Sequence, residues 1–479
     1  MLTVFGGIIV KVLLPLALLA VALYAVFSRL LTATLHRLPY SIVPARWAVH
    51  RWRLTSVPVK KFWLNASFGL FFVVAIRIAQ PFSPALHSTI NGFGLDLINT
   101  IGYAKGEVSR FGLGAEGPIP EFLNSAGFSV PAATERYARI QFDEDYLDIR
   151  STEQGIPGIT LREDILAVFH RLIEARPKLI ILDIDLAYSP YSSQAQQALI
   201  EFLVQHRQPQ PPVILVKTLL APRGPRQPNR WAPTPFDELA HAPDSAVWWA
   251  STVHALDADN KLRSTQLSSK ALSPDNTVTT LPSVAALAVA LIDGDQRKPD
   301  LLKLLFAEQP PARINYTLHP NPSNWDRLKS VPATTLLFHP HLLSIDELQD
   351  RVVIISASHH RSGDEHLTNV GWMQGDLYQL NAIESLLRSG PLKEPGWGAF
   401  LAASLLVVVI FAAIAARFAP LVGLLVASWV CVFVLIPISQ MFYELGFWLD
   451  FGVPLVAIQL NQLIGELLQW VYKRSDGLT

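Results

Sequence analysis

Long apolar runs lie at both ends of this 479-residue chain, and shorter alternating or helically spaced patterns fill the interval between them. A bilayer requires about 20 consecutive apolar residues per helix, because every backbone polar group has to be satisfied inside the span. Five segments meet that demand: Phe5 to Leu31, Phe62 to Pro81, Trp397 to Ala416, Leu421 to Met441 and Phe447 to Val471. The first carries charge only near its ends, at Lys11 and Arg29, where long basic side chains reach the headgroups. The second contains Asn65 and Arg77, which leaves a full span and an interfacial helix both open. The expected layout is a span at 1–31, a basic loop at 32–61 and a second span at 62–82. A folded domain at 83–395, three transmembrane helices at 396–472 and a short tail at 473–479 follow.

Within the folded interval, residues 84–130 mix helix-like Leu95, Leu97 and Ile98 with loop-like Gly106, Gly112, Gly114 and Gly117. From Ala138 the pattern sharpens. Arg139 to Ile149 reads as a strand, and Thr160 with Glu163 forms a capping-box signature for a helix start. Leu161, Ile165, Val168, Phe169, Leu172 and Ile173 then recur at helical spacing, and Pro177 ends the helix. Leu179 to Leu186 is apolar except at Asp183 and Asp185, as suits a strand buried on both faces. A helix from Ser193 to His206 and a strand at Val213 to Lys217 repeat the unit. A proline-rich excursion at 219–246 precedes further strands at 246–253, Ala312 to Thr317 and Arg351 to Ser356, and a helix from Gln379 to Arg388. The expected fold class is an α/β domain with a mainly parallel sheet and flanking helices, plus an α-helical transmembrane bundle.

Composition supports a membrane solvent: half the residues are hydrophobic, 16% are charged and the mean hydropathy is +0.30. Lys and Arg total 39 against 39 Asp and Glu, so no global field points to nucleic acid. With Cys431 the only cysteine, no intramolecular disulfide braces the domain, and its stability has to come from a buried core. Charge also orients the chain. Residues 32–61 carry Arg37, Arg46, Arg51, Arg53, Lys60 and Lys61 with no acid, which places that loop in the cytoplasm and residues 83–395 outside. Arg417, Lys473 and Arg474 then fall inside, and Glu444 and Asp450 outside. The expected location is a cell membrane, with the large domain outside the cytoplasm.

Several strings in order carry a family resemblance: Ile140-Gln-Phe-Asp-Glu-Asp145, Pro177-Lys-Leu-Ile-Ile-Leu-Asp-Ile-Asp185, Asp257-Ala-Asp-Asn-Lys-Leu-Arg263, Ile314-Asn-Tyr316 and Val352-Val-Ile-Ile-Ser-Ala-Ser358, with Asp364 following. The string from Gly375 to Leu387 closes the set. Together with the spans that follow, residues 138–472 resemble the CHASE type 2 sensory domain, an extracytoplasmic module of bacterial signalling proteins. The resemblance implies a sensor whose last spans lead to a cytoplasmic output domain. This sequence departs from the pattern in three places. It ends at Thr479, so output is expected from a separate partner. Ser356-Ala-Ser-His-His360 stands where the family has a glycine-led turn, and the N-terminal span is additional.

Asp183 and Asp185 fall at the expected carboxyl end of a parallel strand, where open α/β sheets place ligands, with Asp143 and Asp145 as neighbours. These carboxylates can hold a hard cation, or they can cap helices and bond loop amides. Asp364 completes the candidate ligand set. The segment His359 to His366 has the residue types of a transition-metal site without an established spacing, so no metal and no cofactor is assigned. No nucleophile elbow, zinc-helix or phosphate-loop string is present, and no enzyme activity is expected. In the last span Gln459, Gln462, Glu466, Gln469 and Lys473 follow spacings of three and four, which draws one polar stripe suited to a partner helix. The expected function is a membrane-anchored sensory or receptor subunit in an oligomeric complex with a separate effector. The alternative is a non-sensing scaffold of an envelope assembly.

Overall fold

The computed structural model describes residues 135–154, 160–186, 193–220, 228–237, 239, 245–257, 259–273, 277–292, 311–318, 327–359, 362–392, 396–418 and 420–435, with helical residues at 62, 66–67, 69–76, 438–439 and 442. The expected first span, the basic loop, the span from 447 and its stripe of Gln459, Gln462, Glu466 and Gln469, and the stretch at 84–130 lie outside the described residues. The chain divides into two compact units, one within 95–393 together with 441–447, the other built from the remaining segments.

The first unit is a mixed α/β domain. Its strands β1 (Tyr137–Phe142), β2 (Leu179–Asp183), β3 (Val213–Lys217), β6 (Val247–Ser251), β12 (Leu328–Pro332) and β13 (Val352–Ala357) form one parallel sheet in the order β12-β1-β13-β2-β3-β6. Two smaller sheets flank it. One joins β4 (Leu219–Leu220), β5 (Asn229–Trp231), β9 (Ser268–Leu272) and β10 (Val278–Pro282). The other joins β7 (His254–Leu256), β8 (Leu262–Thr265), β11 (Ala312–Arg313), β14 (Glu365–Thr368) and β15 (Gly371–Gln374).

Alternation along the central strands sends apolar side chains to two cores. Ala138, Ile140, Ile180, Leu182, Val213, Leu215, Val353 and Ile355 meet α1 (Glu144–Gln154), α2 (Arg162–Ala175), α3 (Ser193–Gln205) and α5 (Ala333–Phe338). Tyr137, Leu179, Ile181, Ile214, Val216, Val352 and Ile354 meet α4 (Val284–Ile292) and α6 (Gly375–Ser389). Burial on both faces explains why these strands are nearly continuous apolar runs. Each such aliphatic side chain contributes about 1.5–3 kcal/mol when fully buried.

The sequence expectations are corrected at three places. The strand expected from Arg139 to Ile149 ends at Phe142, because Asp143 accepts the Tyr146 amide on its carboxylate at 3.1 Å and starts α1. The capping box at Thr160 does not form: α2 starts at Arg162 with no side-chain cap bond, although its apolar face is buried as expected. Of the strand expected from Ala312 to Thr317, only Ala312–Arg313 pairs, since Thr317 and Leu318 donate their amides to Asn381 Oδ1 on α6 instead.

In the second unit, α7 (Trp397–Arg417) packs through Val407 and Phe411 against Ala427 of α8 (Pro420–Val430) and Leu435 of the π-turn that follows. The backbone at Gly69 approaches α7 so closely that a Cβ there would lie 2.8 Å from Val408 Cγ1. Among the described residues, α7 is the one helix long and apolar enough to cross a membrane, so a multi-helix transmembrane bundle is not established by the fold.

Candidate functional site

The carboxyl edge of the central sheet gathers most of the buried polar chemistry on the α6 side. Strand register sets Gln141 of β1 beside Ser356 of β13, and Ser356 beside Asp183 of β2. By alternation all three share the face of Ile181 and Ile354, the face that α6 covers. The chain leaving β13 runs to α6, whereas the chains leaving β1 and β2 on either side run to α1 and α3 on the opposite face. Diverging connections of this kind open a crevice at the carboxyl ends of adjacent strands.

Arg139 and Asp376 form the crevice floor. Arg139 Nε donates to Asp376 Oδ2 at 3.0 Å and Nη2 to Oδ1 at 2.7 Å, a bidentate pair buried to 3% and 1% exposure. Ser356 Oγ donates to Asp376 Oδ2 at 2.6 Å. Arg139 Nη2 also reaches Gln374 Oε1, which accepts Gln141 Nε2 at 3.1 Å. Asp376 lies in the first turn of α6, where the free amides and helix dipole favour a carboxylate; Leu377 N donates to its Oδ1 at 2.6 Å.

Asp364 enters from the loop after β13. Its backbone oxygen accepts the Gly375 amide at 2.9 Å, and its carboxylate lies where a Cβ on Gly375 would be, so a larger residue there requires the Asp364 side chain to shift. His366 Nε2 lies 3.1 Å from Asp364 Oδ1. The His254 ring stacks edge-on 4.9 Å from His366 and 4.7 Å from Tyr378. Burial, then the neighbouring His366, pushes His254 down to about 3, so it stays neutral at ordinary pH.

Asp183 keeps only part of its surface open. Burial, then the carboxyls of Asp364 and Asp376, raise its own carboxyl well above the usual carboxylate range. The adjacent Arg139 is already committed to Asp376.

Of the carboxylates singled out in the sequence, Asp183 and Asp364 meet here. Asp143 instead caps α1, with burial holding its carboxyl up. Asp145 is exposed in the first turn of α1. Asp185 is exposed beyond the end of β2, and its backbone oxygen accepts Arg162 Nη2 at 3.2 Å. Of the two readings open for these carboxylates, Asp143 takes the capping one, and Asp143 and Asp145 belong to a helix start rather than to a strand end. Sequence reasoning missed Arg139, Asp376, Gln374 and His254. The available signal was a charged residue at an inward position of an apolar strand, Arg139 within Tyr-Ala-Arg-Ile. Among the described residues no three His, Cys, Asp or Glu side chains converge to hold a metal ion.

The family model for the CHASE2 domain matches residues 132–417, more than half of the chain and the whole of the crevice. The chain belongs to the CHASE2 family. No curated protein and no solved structure matches it. CHASE2 domains are extracytoplasmic sensory domains, so the sheet and its crevice form a sensory module outside the cytoplasm. The CHASE2 match extends through α6 and α7, so the candidate span lies within the same family match as the crevice.

Proposed function

We propose that this chain is a membrane-anchored receptor subunit, not an enzyme, whose stimulus acts at the crevice of β1, β13, β2 and α6 and whose output is a separate protein. The observation that carries the reading is the position of Asp376. It ties Arg139 of the sheet to the first turn of α6, and residues 390–396 alone separate α6 from α7 in sequence. A change at Asp376 thus bears on α6, the helix that precedes the candidate span in sequence. Leu405, Leu406 and Val409 expose apolar surface on α7, as suits lipid, and Trp397 and Arg417 bracket it as interface anchors.

In the same reading the apolar segments at 1–31, 62–82 and 396–472 anchor the domain in an inner membrane with the C-terminus in the cytoplasm, and the stripe Gln459, Gln462, Glu466 and Gln469 meets the partner helix. The test is gentle extraction of the tagged full chain from its native membrane, followed by identification of every protein recovered in stoichiometric amount. A kinase, cyclase or other regulatory enzyme among them is the expected result. Recovery of only structural envelope proteins would replace the receptor with a scaffold.

A further inference from the structure

Among the described residues, the crevice holds more carboxyl groups than cations. Asp183 projects from the end of β2 and, one strand over, Ser356 is bonded to Asp376, so these two carboxyls face the same narrow space. Asp364 closes that space from the loop before β14, pressed against Gly375 and bonded to the α6 backbone. Among the described residues Arg139 from β1 is the cation facing them, and both its donor edges serve Asp376 and Gln374. The remaining titratable groups lie around this centre. His366 of β14 contacts Asp364, His254 of β7 stacks on His366, and His359 is buried in the loop after β13. The α4 helix packed on β2 carries no charge. Farther along α6, Glu384 is paired with Arg327 and with Tyr137. Lys217 of β3 projects to the opposite face and is paired with Asp237.

We infer that the crevice is a proton-operated latch: with Asp183 protonated, the first turn of α6 is clamped to the sheet through Asp376, and loss of that proton loosens the clamp by setting like charges against each other. The direction follows from linkage. Burial and the two neighbouring carboxyls make the folded chain hold the Asp183 proton more tightly than the unfolded chain does. The contribution of the Asp183 proton to the clamp is therefore fully present below the ordinary carboxylate value of 3.8 and is lost as pH rises through the raised value of the folded state. Each unit of that rise is worth about a tenfold change in the opening equilibrium. His254, neutral across this window, does not supply the response. The inference rests on the receptor reading for its purpose, since a domain outside the cytoplasm meets external pH, but its geometry stands apart.

The experiment is hydrogen exchange of the full chain in lipid nanodiscs, following residues 375–389 between about pH 5 and about pH 8 after correction for intrinsic exchange rates. Protection of the first turns of α6 is expected to fall about tenfold or more with rising pH in the native chain and to stay flat in Asp183→Asn. Asp364→Asn, which removes one repelling charge, is expected to move the loss to lower pH, and it provides the test should Asp183→Asn fail to fold. A native chain without pH dependence, an Asp183→Asn chain that keeps it, or a response abolished only by His366→Gln would overturn the latch. A pH response without a regulatory partner in the extraction experiment would leave the latch standing and remove the receptor. A partner without the pH response would do the reverse.

Discussion

On the face of the sheet under α2, Asp164 accepts Tyr146 Oη at 2.7 Å and Arg150 Nε at 2.8 Å, with a second bond from Arg150 Nη2. Lys217 on that same face meets Asp237 and lies 4.8 Å from the Trp249 ring centre. In both groups the buried charge has a matching partner. On the face under α6, Arg139 and Asp376 form an equally complete pair, yet Asp183 and Asp364 stand beside it as additional carboxyls. Burying charge without a matching partner costs stability, and proteins keep such arrangements mainly where function requires them. The two faces use the same residue types and similar distances. What distinguishes the α6 face, among the described residues, is a surplus of carboxyl groups, located where a strand edge, a loop and a helix start come together.

The largest effect is expected from removing the cation on the surplus side. Arg139→Met leaves Asp376 buried next to Asp183 and Asp364, and breaking a pair this deeply buried costs about 3–5 kcal/mol. Arg150→Met on the matched side should cost less, because Arg150 is 17% exposed against 3% for Arg139. Thermal unfolding of the detergent-solubilised full chain at neutral pH checks the order. The double variant Arg139→Met/Asp183→Asn should unfold at a higher temperature than the sum of the single effects implies, since it removes part of the repulsion that Arg139→Met exposes. Strict additivity would mean that Asp183 and the Arg139–Asp376 pair do not interact.

Next in size is Gly375→Ala, expected to cost about 1–3 kcal/mol because the new Cβ displaces the Asp364 carboxylate, which is 35% exposed, from its place against the start of α6. Asp364→Ala in the same chain should restore most of that loss, measured by the same unfolding scan. Failure of the rescue would place the strain in the α6 backbone and separate Asp364 from the helix start.

The fold was largely legible because the central strands are buried on both faces. Val213 to Lys217 matches β3 residue for residue, and the buried stripe of α2 follows its helical spacing. The start of α1 was not, because Tyr146, Leu147 and Ile149 read as apolar positions of a strand, and only the Asp143 side chain decides between strand and helix. Half of the site was legible too. Asp183 stands at a strand end, and Asp364 follows a recognisable strand. The partner of Arg139 is 237 positions away, and no local pattern reveals that separation. Asp376 sits in a string that reads as an ordinary helix start, and only the β1–β13–β2 register brings it to the crevice.

The smallest expected effect tests the matched face by itself. Tyr146 Oη donates to Asp164 Oδ2 and accepts the Leu161 amide at 3.2 Å, so Tyr146→Phe removes one bond to a carboxylate and one partner of a buried amide at the start of α2. Arg150 remains on Asp164, which limits the loss to about 1–2 kcal/mol. Burial and the neighbouring Asp164 raise the Tyr146 hydroxyl above its ordinary range, so it stays protonated at any pH the chain tolerates. The loss should therefore be the same at about pH 5 and about pH 8 in paired unfolding scans, in contrast to Asp183→Asn. A Tyr146→Phe deficit that changes with pH would show that proton uptake is not confined to the α6 face, and the contrast between the two faces would fall with it.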